Sequence, residues 1–218
     1  MPSKLLPTLD ILTACVVNLD QAARERRQDS AAGEGNPLLI PEIAQGMIDT
    51  LHASRGVAWS YGGYLEDRPT LLKGTYLDTT GGYIHLGIDV NARAGTPVAA
   101  PYDARVESIF DDTPTPSGWG PRLILRPDDT SLPYLILGHL TPLTSKPGDR
   151  VEAGQRLAEI APPPHNGNWF PHLHIQQIAR DKVRPHKEDN YQTLDGYGHP
   201  RDLELLRETY PDPTWLVL

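Results

Sequence analysis

Arg122-Leu-Ile-Leu-Arg126, Tyr134-Leu-Ile-Leu137, Arg156-Leu-Ala-Glu-Ile160 and His172-Leu-His-Ile-Gln176 are short runs of strand length, each built around Leu and Ile. Toward the N-terminus, Gly82-Tyr-Ile-His-Leu-Gly-Ile-Asp-Val90, Thr96-Pro-Val-Ala99 and Ala104-Arg-Val-Glu-Ser-Ile-Phe110 repeat the pattern. Clusters of Gly, Pro and Asp separate the runs, so the body is expected to be mainly β, an antiparallel sheet or sandwich. The 22 prolines and 19 glycines among 218 residues fit a loop-rich β protein.

Upstream the pattern changes. Over residues 8–27, Leu9, Leu12, Val16, Leu19 and Ala23 recur at three- and four-residue spacing, which predicts an amphipathic helix. A break at Gly33–Pro37 follows. Pro41 then suits a first helical position, and Ile43, Met47, Ile48 and Leu51 mark a second helix. Residues 1–54 are thus expected to form a helical appendage to a body at 55–218. The tail should carry a short helix over 202–210 and an extended Pro211–Leu218 that packs back on the body.

Lys and Arg total 20 and Asp and Glu 28, a formal charge of −8. That argues against nucleic acid or an anionic membrane as partner. The best apolar stretch, Ile11–Leu19, is bracketed by Asp10 and Asp20 and falls short of a membrane span. Lys4, Pro7 and Asp10 do not make a secretory signal, and the single cysteine, Cys15, forms no internal disulfide. As written, the chain reads as cytoplasmic.

Four of the eight histidines, His85, His139, His172 and His174, lie in or at the ends of β runs. In His172-Leu-His174 the spacing of two projects both imidazoles from one face of a strand. In His85-Leu-Gly-Ile-Asp89 the two polar residues share a face but would lie about 13 Å apart on a straight strand. Gly87 is where a bend or bulge could shorten that span. Two imidazoles and a carboxylate match the three-ligand set of a catalytic zinc with one position open to water. His52, His165, His186 and His199 fall outside these motifs and read as surface residues.

Together with Ala94-Gly-Thr-Pro-Val-Ala-Ala-Pro101, Gly118-Trp-Gly120, Gly138-His-Leu140 and Pro147-Gly-Asp-Arg-Val-Glu-Ala-Gly-Gln155, these motifs resemble, over about residues 80–178, the lysostaphin-type (LytM-like) zinc metallopeptidases. The resemblance implies a duplicated-hybrid-motif β domain with an open groove. It also implies zinc held by His85, Asp89 and His174, with His139 and His172 as the catalytic pair. The implied reaction is endopeptidase hydrolysis of a peptide or amide bond by metal-activated water, on a peptidoglycan cross-bridge or a soluble peptide. Asn166, Asn168 and Trp169 would lie near the groove mouth and contact substrate. Many members carry an aromatic two residues before the isolated histidine, where this chain has Leu137. Tyr64-Leu-Glu-Asp-Arg-Pro69 and Pro211-Asp-Pro213 also resemble copies of the domain fused to class III aminotransferases and small-molecule kinases. Two alternatives differ in class: a non-catalytic zinc-binding or regulatory module of the same family, and a phosphocarrier-like domain.

Overall fold

The computed structural model describes residues 4–28, 36–113 and 115–218. Thirteen strands follow in chain order: β1 (Ala14–Val16), β2 (Trp59–Gly62), β3 (Ile84–His85), β4 (Gly87–Asn91), β5 (Pro97–Ala99), β6 (Ala104–Asp111), β7 (Pro121–Pro127), β8 (Tyr134–Gly138), β9 (Leu140–Thr141), β10 (Arg150–Val151), β11 (Arg156–Ile160), β12 (Leu173–Ile178) and β13 (Tyr197–Gly198). The helices are α1 (Leu19–Gln28), α2 (Pro41–Arg55), α3 (Leu77–Thr80), α4 (Arg184–Glu188) and α5 (Leu203–Thr209). The chain is mainly β, as its short apolar runs predict.

Eight strands form one sheet in the order β1-β2-β4-β12-β8-β7-β6-β10. Every pair in it is antiparallel except β1 with β2. A second sheet, β5-β11-β9, and a two-stranded β13-β3 complete the framework. The central strands β8 and β12 are buried along their whole length. This is why Tyr134–Leu137 reads as a continuous apolar run and not as an alternation: both faces of the sheet are covered. On one face Ile88, Val90, Leu135, Leu137, Leu173 and Ile175 join Val98, Leu157 and Ile160 of the second sheet in the largest apolar core. On the other face Ile124, Ile136 and Ile178 pack with Tyr191, Leu194 and Tyr210. Asp89, His174 and Gln176 project to that second face.

The N-terminal segment differs from the expected helix over 8–27. Asp10 caps a short 3-10 turn, Ile11–Thr13. Ala14–Val16 then pairs in parallel with Trp59–Tyr61. The helix begins only at Leu19, where the Asn18 side chain accepts the Gln21 backbone N–H at 2.6 Å. The local run Thr13-Ala-Cys-Val-Val17 favours a strand because branched side chains lose rotamer freedom in a helix. Leu12 is 89% exposed and Val16 63% exposed, so two positions of the apparent stripe face solvent.

The second helix starts at Pro41 as expected and ends on Gly56 in the left-handed conformation, φ 63°. Of the expected break, residues 33–35 lie outside the described residues. The tail carries α5, but Thr214–Leu216 is a 3-10 turn and not extended chain, and it tucks Leu216 into the main core. No helix among the described residues is long and apolar enough to cross a membrane.

Candidate metal centre

The register of β4 against β12 sets His174 directly opposite Asp89, and the register of β12 against β8 sets His174 opposite Gly138. His85 arrives from β3. The expected shortening of the His85–Asp89 span does occur, but the chain bends at Leu86, between β3 and β4, one residue before the Gly87 at which a bend is expected. Gly87 is needed for close approach: a Cβ there would lie 2.2 Å from the Ile175 carbonyl oxygen and 3.0 Å from His174 Nε2.

His85, Asp89 and His174 are all buried, and one donor atom from each lies within 4.8 Å of the others. Asp89 Oδ1 is 3.3 Å from His85 Nε2 and 3.3 Å from His174 Nδ1, and those two nitrogens are 2.9 Å apart. The tautomers follow from the outer partners. His85 Nδ1–H donates to the Gly63 carbonyl at 3.0 Å, because a carbonyl can only accept. Gln176 Nε2 donates to the Asp195 carbonyl, which turns Gln176 Oε1 toward His174 Nε2 at 2.9 Å. Both inner nitrogens therefore present lone pairs to each other and to a carboxylate oxygen. Asp89 Oδ1 receives no hydrogen bond. A buried carboxylate oxygen without a donor, flanked by two imidazole lone pairs, fits a bound cation and is otherwise unfavourable.

The electrostatics agree. Burial, with the nearby Arg68 guanidinium, pushes His85 down to about 3, which keeps it neutral. Burial alone would raise Asp89. The carboxyl is nevertheless held well below the usual carboxylate range, and the permanent cation beside it is the Arg68 guanidinium, 2.6 Å from Oδ2.

His139 and His172 stand beside this cluster, their ring centroids 4.3 Å apart. His139 follows β8 in a left-handed conformation, φ 64°. Its Nδ1–H donates to the Asn166 carbonyl at 2.8 Å. His172 Nδ1–H donates to the Phe170 carbonyl at 2.8 Å, and its Nε2 lies 3.7 Å from Asp89 Oδ1. Burial lowers both imidazoles from their ordinary value, His139 the further because His172 and His174 add to the effect. Trp119 stacks on His139 and meets His174 edge-on. Gly138 makes room for it, since a Cβ there would sit 2.8 Å from the indole.

These groups open onto a cavity of about 360 Å³ walled by Trp119, Trp169, Phe170, Tyr76 and Tyr197, with Asp112 and Asp195 on its margin. Of the three residues expected at the groove mouth, Trp169 lines the cavity. Asn166 is wholly buried, and its side chain bonds the Trp169 backbone. Asn168 is exposed and outside the cavity wall. Of the four remaining histidines only His165 is fully exposed. His52, expected at the surface, is half-buried with Nε2 2.9 Å from Ser60 Oγ.

Three participants are not singled out as site residues in the sequence: the Gly63 carbonyl, Gln176 and Arg68. Gln176 continues the spacing of two that begins at His172, so the face of β12 could have revealed it. Arg68, buried with Nη1 2.6 Å from Asp89 Oδ2, sits in an irregular segment. The N-terminal helix braces that segment: the Asp20 N–H donates to Glu66 Oε1, and Asp20 Oδ1 accepts from the Thr70 and Leu71 N–H groups.

No curated protein matches the chain. Among solved structures, it is similar to a zinc-containing peptidase from Vibrio cholerae, at 26% identity over 45% of this chain and 28% of that one, TM-score 0.39. The catalytic domain of lysostaphin from Staphylococcus simulans aligns at 23% identity over 57% of this chain and 80% of that one, TM-score 0.39. The catalytic domain of a prophage-encoded M23 protein from Enterococcus faecalis aligns at 22% identity over 54% and 77%, TM-score 0.39. The chain thus spans 28% of the length of the Vibrio peptidase. Residues 83–185, from the approach to His85 through β12, match the model described as Peptidase family M23. Over that stretch the chain is similar to the M23 peptidases, as the sequence landmarks imply.

Proposed function

We propose that this protein is a zinc-dependent endopeptidase that hydrolyses a peptide or amide bond, with the ion held by His85, Asp89 and His174. The observation that carries this reading is the donorless, buried Asp89 Oδ1 between two imidazole lone pairs. A zinc ion supplies Lewis acidity, polarising a scissile carbonyl and lowering the pKa of water.

The chain's own residues supply the rest. His139 and His172 present unprotonated Nε2 atoms, because each Nδ1–H is fixed on a backbone carbonyl. In that form either ring accepts a proton from the attacking water. Neither can donate to an oxyanion until it has taken a proton, since the carbonyl partners rule out the tautomer with hydrogen on Nε2 alone. The pair therefore divides the work in time: one imidazole takes the proton, and the resulting imidazolium delivers it to the leaving amine. Trp119 and Trp169 offer flat apolar walls to an extended peptide and exclude water from its backbone.

In this reading the peptidase unit spans 55–218, and the appendage, residues 1–54, joins its sheet through β1 and steadies the Glu66–Leu71 segment through Asp20. The substrate class is a peptide, either soluble or derived from peptidoglycan. Zinc-loaded protein incubated with purified peptidoglycan and with a library of short peptides, read by mass spectrometry, tests the activity. Cleavage products that vanish on chelation are expected. Intact substrates in every digest would overturn the reading.

A further inference from the structure

We propose that Arg68 is a positioning residue of the metal centre. By holding Oδ2 of Asp89 it leaves Oδ1 as the one oxygen that carboxylate can offer a divalent cation, and it is the carboxylate's counter-ion whenever the cation is absent. The proposal rests on the zinc-peptidase reading above.

The two oxygens of Asp89 are sharply unlike. Oδ2 accepts from Arg68 Nη1 at 2.6 Å, whereas Oδ1 has no donor and faces His85 and His174. Arg68 is 1% exposed, and its second contact, from Nη2 to Glu66 Oε2, is 3.6 Å. Its Nε has no acceptor. A guanidinium so buried and only partly satisfied is costly, and stability alone would be served as well by an apolar pair. The fold nevertheless makes a specific berth for it. A Cβ at Gly63 would lie 2.0 Å from Arg68 Nη2 and 3.1 Å from His85 Nδ1. One glycine thus admits the guanidinium and, through its carbonyl, orients His85. On the other side α1 pins the Arg68 segment at Glu66, Thr70 and Leu71.

Two consequences separate this role from a merely structural one. Without the guanidinium, Oδ2 is free to ligate and a positive charge beside the cation is gone, so the ion binds more tightly and with more oxygen ligands. Loss of a simple structural prop would loosen the site and weaken binding. Wild type, Arg68→Met and Arg68→Lys should be compared by zinc competition against a chromogenic chelator and by the visible spectrum of their Co2+ derivatives.

Arg68→Met is expected to bind zinc at least about tenfold more tightly. Its Co2+ absorption should be weaker, the sign of a higher coordination number, and Arg68→Lys should move both readouts back toward wild type. Unchanged or weaker zinc binding in Arg68→Met, or an unaltered Co2+ spectrum, overturns the proposal. If metal-free Arg68→Met is unfolded, saturating zinc should refold it by replacing the missing charge, and a chain that stays unfolded also overturns the proposal. Wild type that takes up no ion would remove the zinc reading itself. Wild type that binds zinc, with a variant that does not differ from it, sinks only the role of Arg68.

Discussion

Among the four imidazoles around Asp89, what differs is which nitrogen is tied back. His174 is anchored through Nε2 to Gln176 and turns Nδ1 inward. His172, two residues away on the same face, is anchored through Nδ1 to Phe170 and turns Nε2 inward, 3.7 Å from Asp89 Oδ1. On the proposed roles the two should part company in mutagenesis. His174→Ala should abolish metal uptake. His172→Ala and His139→Ala should retain most of the metal and lose turnover by about 10²-fold or more. Metal content and kcat measured on the same preparations check this, and equal metal loss in His172→Ala and His174→Ala would contradict it. His85, Asp89, His139, His172 and His174 are legible in the sequence because each sits in a short motif on a strand or at its end. Arg68 and Gly63 are not, since an irregular segment has no periodicity to say which way a side chain points. Asn166 is legible as a neighbour of the site but not in its placement, because its burial depends on long-range contacts of its segment with His139 and Gly120.

At the level of elements, the pairing of β4 with β12 brings Asp89 and His174 together, and Gly87 lets the strands approach. Gly87→Ala would drive a methyl group against the Ile175 carbonyl, 2.2 Å from the ideal Cβ, where backbone must move. A loss of about 2–3 kcal/mol of stability is expected, together with weaker metal binding as the register opens. Urea denaturation of the metal-free variant measures the first, and wild-type stability in Gly87→Ala would contradict it. The strands themselves were plain in the sequence: Arg156–Ile160 is β11 residue for residue, and the other runs differ from their strands by a residue or two, apart from Gly82–Val90. That run divides at Leu86 into β3 and β4, because His85 pairs with Tyr197 and not with the main sheet. The helix over 8–27 failed for a complementary reason. Three-residue spacing of apolar positions also arises by accident, and the branched run before Asn18 finds a strand partner in Trp59–Tyr61, a long-range pairing that no local window contains.

For the whole molecule, a set of neutral histidines buried together makes stability depend on pH. Burial holds His85, His139 and His172 below the ordinary value of 6.5, so in acid the unfolded chain takes up protons that the folded chain does not. Stability then rises with pH across that window. For the metal-free protein it should fall as pH drops below about 6.5, continuing toward about 3 for His85, by about 1.4 kcal/mol per pH unit for each histidine that titrates only on unfolding. Thermal unfolding of chelator-treated protein at a series of pH values reads this directly, and a midpoint that does not change between pH 7 and 5 would contradict it.

On the proposed function, the buried Asp89 Oδ1 and the two facing imidazole nitrogens hold a zinc ion. Elemental analysis of zinc-loaded, gel-filtered protein tests it most directly, with wild type beside Asp89→Ala. One zinc per chain in the wild type and essentially none in Asp89→Ala is the predicted result. No zinc in the wild type, or zinc undiminished in Asp89→Ala, would contradict it.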